Sequence, residues 1–323
     1  MDLEQIKDLI TPDLIRVEEL ITDALGSESK PVNDLVKHVS HFAGKRLRPA
    51  LVLLVAKALG KVNEDHVKLG AVIELIHTAT LVHDDILDGA AMRRRVESVN
   101  FLHGNHVSVL LGDMIYARAF RLSLDLSDTR GAEYLASITQ TICQGEIEQI
   151  FHRNDFELAR DQYFSVIGAK TASLYKTSCE LAALYSGSDQ RTASSLGSFG
   201  YDLGLAFQIV DDCLDIVGDE KEVGKSLGTD LEKGKMTLPL IHLAATLSGA
   251  DRERLKEIFL STEGEDKSRA IADLFDLKGA VDYSFSVAEE YIESSLAVLE
   301  ILPDSPSREA MISAAQFVLI RRL

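Results

Sequence analysis

The chain has little that would brace a secreted or membrane-spanning protein. Its three cysteines, Cys143, Cys179 and Cys213, lie far apart with no Cys-x-x-Cys pair, too few to read as the cysteine pattern of a disulfide framework. They are expected to pack as small apolar core residues in a reducing compartment. No apolar run reaches the roughly 20 residues that a transmembrane helix needs. The first ten residues, MDLEQIKDLI, are acidic and amphipathic and lack the basic start and apolar stretch of a signal peptide, so a cytoplasmic protein is expected. Positive charge is also short: Lys plus Arg number 34 against 51 Asp plus Glu, a net charge of −17, which argues against general binding to nucleic acid or an anionic membrane.

Proline is scarce as well, with six in 323 residues, and strand-like alternation is rare. Apolar residues instead recur at three- and four-residue spacing over 51–59, 68–87, 107–124, 135–151 and 195–217, the mark of helices. Breaks fall at 60–63, 127–131, 187–190, 218–234, 248–250, 262–266 and 303–306. No linker separates regions of different composition. The pattern predicts an all-α fold, one domain over residues 1–323, with about ten or more helices.

Against that background two clusters of the same form stand out, Asp84-Asp85-Ile86-Leu87-Asp88 and Asp211-Asp212-Cys213-Leu214-Asp215. Their outer carboxylates are four residues apart, neighbours on one helix face, where like charges repel. The surrounding apolar residues imply partial burial, and buried carboxylates need cations. One such cluster alone could be a solvated helix face; two of them inside apolar runs favour a metal. Oxygen donors without a Cys/His set favour Mg²⁺, which takes one or two carboxylates plus substrate phosphates.

Basic residues form local clusters in this acidic chain. Gly44-Lys45-Arg46-Leu47-Arg48-Pro49 precedes an apolar helix, and Arg93-Arg94-Arg95 follows Asp88 closely. Either could be a solvated helix end or turn, but the acid-then-base order after Asp88 suits an anion site, with Arg gripping phosphate oxygens bidentately. The stretch 218–234, rich in Gly, Lys and acidic residues, is a candidate lid.

These motifs, with GAKTASL, FQIVDDCLD and GKSLGTDLEKGKMTLP in order, resemble the trans-polyprenyl diphosphate synthases, and within that family the long-chain members. The resemblance implies the isoprenoid synthase fold, a helical bundle around a central cavity, and a Mg²⁺-dependent head-to-tail condensation of isopentenyl diphosphate with an allylic diphosphate, farnesyl or geranylgeranyl diphosphate. It further implies that Asp84, Asp88, Asp211 and Asp215 hold the metal, with Asp85 and Asp212 in support. Lys45, Arg48, His77 and Arg94 would bind isopentenyl diphosphate, and Arg93, Lys170, Thr171, Gln208, Lys225 and Lys235 would contact the allylic diphosphate. Asp84, Asp88, Arg93, Lys170, Asp211 and Lys225 are the expected catalytic group. A homodimer is implied too.

The allylic tail would run from Asp84 toward the helix start, past Thr80 and Ala79. Both are small where short-chain members carry bulky residues, so a long product, octaprenyl diphosphate first, is expected. His77 could also be a satisfied core histidine, and His83 is read as structural. The chain departs from the family pattern at Gly89-Ala90-Ala91, at Arg95 in place of a common glycine, and at Met236 in place of a proline. Other readings are a shorter-chain synthase, a class I terpene cyclase or a partner-dependent subunit. A di-iron bundle needs a second Glu-x-x-His element besides the one ending at His77.

Overall fold

Helices carry nearly the whole architecture, as the apolar spacing predicts. The computed structural model describes residues 3–42, 44, 46–217, 228–261 and 267–320. Lys45, Lys225, the break at 262–266 and most of the proposed lid lie outside them. In chain order the elements are α1 (Leu3–Leu25), α2 (Lys30–Ser40), α3 (Leu47–Ala58), α4 (Glu64–Leu87), β1 (Met92–Arg93), β2 (Val96–Glu97), α5 (Val99–His103), α6 (Asn105–Ser123), α7 (Arg130–Phe151) and α8 (Arg160–Ile167). A π-helical turn, Gly168–Ala172, leads into α9 (Ser173–Tyr185) and α10 (Gln190–Val217). Then come α11 (Thr229–Glu232), α12 (Leu238–Thr246), α13 (Gly249–Leu260), α14 (Lys267–Leu274), α15 (Leu277–Val298) and α16 (Pro306–Ile320).

The chain forms two compact units. The first contains residues 1–140, 174–200 and 296–314, the second 141–173, 201–295 and 315–323.

In the first unit α3 and α4 are buried on almost every side: Leu51 to Ala56 and Val72, Ile73, Leu75, Ile76 and Ala79 are at most 1% exposed. A helix apolar all round is a core helix, which is why these two run through the interior. Gly70 lets α1 and α3 approach α4, since a Cβ there would meet Val17 Cγ2 at 3.2 Å. The start of α4 is fixed by a reciprocal cap: the Asn63 side chain accepts from the His66 N–H (3.1 Å), and His66 Nδ1 accepts from the Asn63 N–H (3.0 Å). Because Nδ1 accepts, Nε2 carries the proton and donates to Ala182 O at 3.0 Å, so the imidazole is neutral.

The end of α4 is equally defined. Ala90 N–H donates to Asp85 O (2.9 Å) and Gly89 N–H to Ile86 O (3.2 Å), with Gly89 at φ 59°, a Schellman ending. Gly89 therefore stops the helix just after Asp88. Next comes a hairpin absent from the sequence reading, pairing Met92 with Glu97 and Arg93 with Val96. Its turn residues Arg94 and Arg95 both have positive φ, 50° and 67°, as a two-residue type I′ turn requires.

In the second unit α10 supplies a core of Leu203, Leu205, Ala206, Ile209, Val210 and Cys213, each at most 3% exposed. Of the three cysteines expected in the core, Cys179 and Cys213 are buried, but Cys143 is exposed on α7 and does not fit that expectation. Among the described residues no helix is long and apolar enough to cross a membrane.

Candidate active site

The last turn of α4 places Asp84 and Asp88 on one face, both half-buried, with Asp88 as the helix C-cap. Asp85 points inward, 1% exposed, and its Oδ1 accepts from Arg93 Nε at 2.9 Å and Nη2 at 2.5 Å. Asn100 and Ser98 hold the turn after the helix: Asn100 Nδ2 donates to Asp85 O (3.2 Å) and Ala90 O (3.1 Å), and Ser98 Oγ to Ala90 O (2.5 Å).

Also in the first unit, four arginines act on one histidine. His77 is half-buried, and its imidazole is held well below its ordinary pKa, by desolvation first and then by Arg48, Arg94, Arg93 and Arg46. It is a neutral donor near neutral pH. Arg48 lies over the Tyr175 ring, 4.4 Å from the centroid, and its Nε is buried without a hydrogen-bond partner among the described residues. The Arg94 guanidinium donates to Phe42 O and passes over Gly44, where any side chain would collide with it. Arg94's own pKa is lowered, by desolvation and then by Arg93. A concentration of cationic and neutral donors of this kind has the chemistry to hold an anion. Of the residues implied for isopentenyl diphosphate, Arg48 and Arg94 both act electrostatically on His77.

Arg46 has a different job. It pairs with Glu18 and with the buried Glu74, so the three cations of Gly44 to Pro49 are not equivalent.

In the second unit the π turn carries Lys170 and Thr171. Such a turn shifts the side chains after it and recurs at functional positions. Lys170 Nζ pairs with Glu146 and donates to Gln149 Oε1 at 3.0 Å. Thr171 Oγ1 donates to Gln208 Oε1 (2.8 Å), and Gln208 Nε2 donates to Asp212 Oδ1 (2.8 Å). The buried Tyr163 hydroxyl donates to Asp212 Oδ2 at 2.7 Å. Burial, with Asp230 next in importance, pushes Asp212 up to about 7.

Asp211 is half-buried, whereas Asp215 is 1% exposed and fastens the following segment. Its Oδ1 accepts from Thr229 Oγ1 (3.0 Å) and its Oδ2 from the Asp230 N–H (3.0 Å). Lys235 Nζ lies 3.1 Å from Asp230 Oδ1. Tyr163, Lys170, Thr171, Gln208, Asp230 and Lys235 line one side of a small cavity of about 80 Å³ in this unit, with Leu158, Val166, Ile167 and Met236 supplying apolar wall.

The donors fit a hard cation. Carboxylates dominate, Cys213 is buried in the core, and His83 turns toward α6, where Gly112 makes room for its ring. No three acidic, His or Cys side chains converge as a preformed cage among the described residues. Ala79, implied for chain length, is completely buried; Thr80 is half-buried, with Oγ1 donating to His77 O at 2.7 Å.

Glu74, Glu146, Gln149 and Tyr163 were missed by the sequence reading. Their partners are remote in sequence, or, for Tyr163, lie beyond a π turn that upsets helical spacing.

Comparison with known proteins gives a consistent result. A family model described as polyprenyl synthetase matches residues 29–276. The chain is 34% identical over 321 residues to octaprenyl diphosphate synthase of Escherichia coli (strain K12), covering 99% of each. It is 35% identical over 325 residues to all-trans-nonaprenyl-diphosphate synthase (geranyl-diphosphate specific) of Rhodobacter capsulatus, covering 99% of each. Among solved structures it superposes on a polyprenyl synthase from Caulobacter crescentus CB15, complexed with calcium and isoprenyl diphosphate, with a TM-score of 0.94 and 35% identity. That match covers 100% of this chain and 98% of the other.

Proposed function

Because the chain belongs to the polyprenyl synthetase family, a family of prenyltransferases, we propose that its two aspartate motifs and its arginine-ringed histidine perform Mg²⁺-dependent elongation of an allylic diphosphate by isopentenyl diphosphate. The observation that carries this reading is the anion site of the first unit. Arg48 of α3 and Arg94 of the hairpin turn act on neutral His77 of α4, the helix that ends in Asp84 and Asp88, so that helix serves both a metal-free diphosphate and a metal-dependent one.

In this reading Asp84, Asp88 and Asp211 hold the metal. Asp215 contributes through the segment it fastens as well as through its charge. Bound Mg²⁺ supplies Lewis-acid neutralisation of the leaving diphosphate. The protein's own groups do the rest. Arg93, oriented by Asp85, and Lys170, oriented by Glu146 and Gln149, aim positive charge at oxygens that gain charge as the allylic C–O bond breaks. Thr171, Gln208 and Lys235 complete that side, with Lys225 and Lys45 assigned from the motifs alone. The double bond of isopentenyl diphosphate attacks the allylic cation, and the departed diphosphate takes the proton.

Small Ala79 and Thr80 support a long product, octaprenyl diphosphate first. The chain acts as one synthase domain, since the family match spans parts of both units and relatives cover its whole length. A homodimer in the cytoplasm completes the proposal, supported by exposed apolar Phe101, Leu102 and Leu110 on α5 and α6.

Asp88→Asn tests the site. Replacing a charged ligand by an amide is expected to lower kcat at least about a hundredfold, with elongation partly restored at high Mg²⁺. Unchanged kcat and metal dependence would refute the assignment.

A further inference from the structure

Arg46 stands in left-handed backbone, φ 51° and ψ 37°, as the N-cap of α3. An arginine holds that conformation only when its surroundings impose it. Here the guanidinium is engaged on both sides. Nε donates to Glu18 Oε1 at 2.5 Å and Nη2 to Glu18 Oε2 at 2.9 Å, a bidentate grip on α1, while Nη1 donates to Glu74 Oε1 at 2.5 Å on α4.

Side-chain exposure is 13% for Arg46 and 6% for Glu74, so that pair is poorly screened by water; Glu18, at 41%, faces solvent. The Arg46 carbonyl accepts the Ala50 N–H at 2.9 Å and so starts α3. Arg48 follows two residues later on that helix. His77 lies one helical turn beyond Glu74 on α4. One side chain thus fastens the turn that launches Arg48 to the helix face that carries His77, and its fork is already committed to carboxylates.

We propose that Arg46 is a positioning residue for isopentenyl diphosphate binding: clamped between Glu18 and Glu74, it fixes the left-handed turn and thereby sets Arg48 against His77 without touching the substrate. The inference rests on reading the arginine site as the isopentenyl diphosphate pocket. It extends that pocket to α1, since Glu18 then influences the affinity of a ligand it does not contact.

The test compares wild type with Arg46→Gly, Arg46→Lys and Glu18→Gln, by calorimetric titration with isopentenyl diphosphate and by steady-state kinetics in both substrates. Glycine keeps the left-handed turn accessible and removes the clamp; lysine keeps the charge and removes the fork. Kd and KM for isopentenyl diphosphate should rise about tenfold in both Arg46 variants and severalfold in Glu18→Gln, with kcat and the allylic KM within about twofold of wild type. Equal binding by wild type and a folded Arg46→Lys or Glu18→Gln protein overturns the proposal. So does a loss shared equally by kcat and both KM values. A wild-type protein that binds no isopentenyl diphosphate overturns the pocket assignment itself, and the clamp's role with it.

Discussion

At the scale of the residue, three consecutive arginines have three environments. Arg93 is drawn back to Asp85, Arg94 reaches Phe42, and Arg95 is exposed at a turn position with φ 67°. A non-glycine residue in the left-handed region costs about 1 kcal/mol. Arg95→Gly is therefore expected to stabilise the protein by up to about 1 kcal/mol in denaturant unfolding, with catalysis unchanged. An unmoved or lowered midpoint would show that contacts of the Arg95 side chain outweigh the strain.

His66 gives the pH counterpart. Burial holds His66 and His77 below their ordinary value, so the unfolded chain takes up protons at higher pH than the folded one. Stability is full above about pH 6.5 and falls as pH drops through that value, levelling off below the folded pKa values. His66→Gln, which can keep the reciprocal cap, should flatten the decline of Tm between pH 7 and 5; parallel curves would contradict it. The motifs made the residue types of the candidate site readable in sequence, with Arg48 and His77 proposed among them. They could not separate Arg46 from Arg48, because the difference lies in Glu18 and Glu74, many residues away.

At the scale of the element, long helices were legible because buried faces impose periodicity. The central position of α4 follows from its lack of a polar side. The hairpin was invisible, since two-residue strands are too short to show alternation and its turn carries arginines where glycine or asparagine would signal it. The π turn at Gly168–Ala172 was equally hidden. Gly89, a departure from the family pattern, has a clear task as the left-handed residue that ends α4 beside Asp88. No atom crowds its missing Cβ, so Gly89→Ala tests backbone conformation alone: a loss of about 1 kcal/mol is expected in thermal unfolding, and an unchanged Tm would contradict the Schellman ending.

At the scale of the whole molecule, the all-α class and the family were legible, because composition, proline scarcity and ordered motifs all point the same way. The exposure of Cys143 was not, since cysteine content says nothing about which face of α7 a given residue occupies. Chain length belongs to this scale too. Ala79→Phe is expected to shorten the product by several isoprene units, read from the prenol distribution, and an unchanged distribution would remove Ala79 from the tail's path.

The most direct measurement is incubation of the purified protein with Mg²⁺, labelled isopentenyl diphosphate and farnesyl diphosphate, followed by chromatography of the dephosphorylated products. A ladder ending at one long prenol is the predicted result. Folded protein that elongates no allylic primer, or releases hydrocarbon without consuming isopentenyl diphosphate, would contradict it.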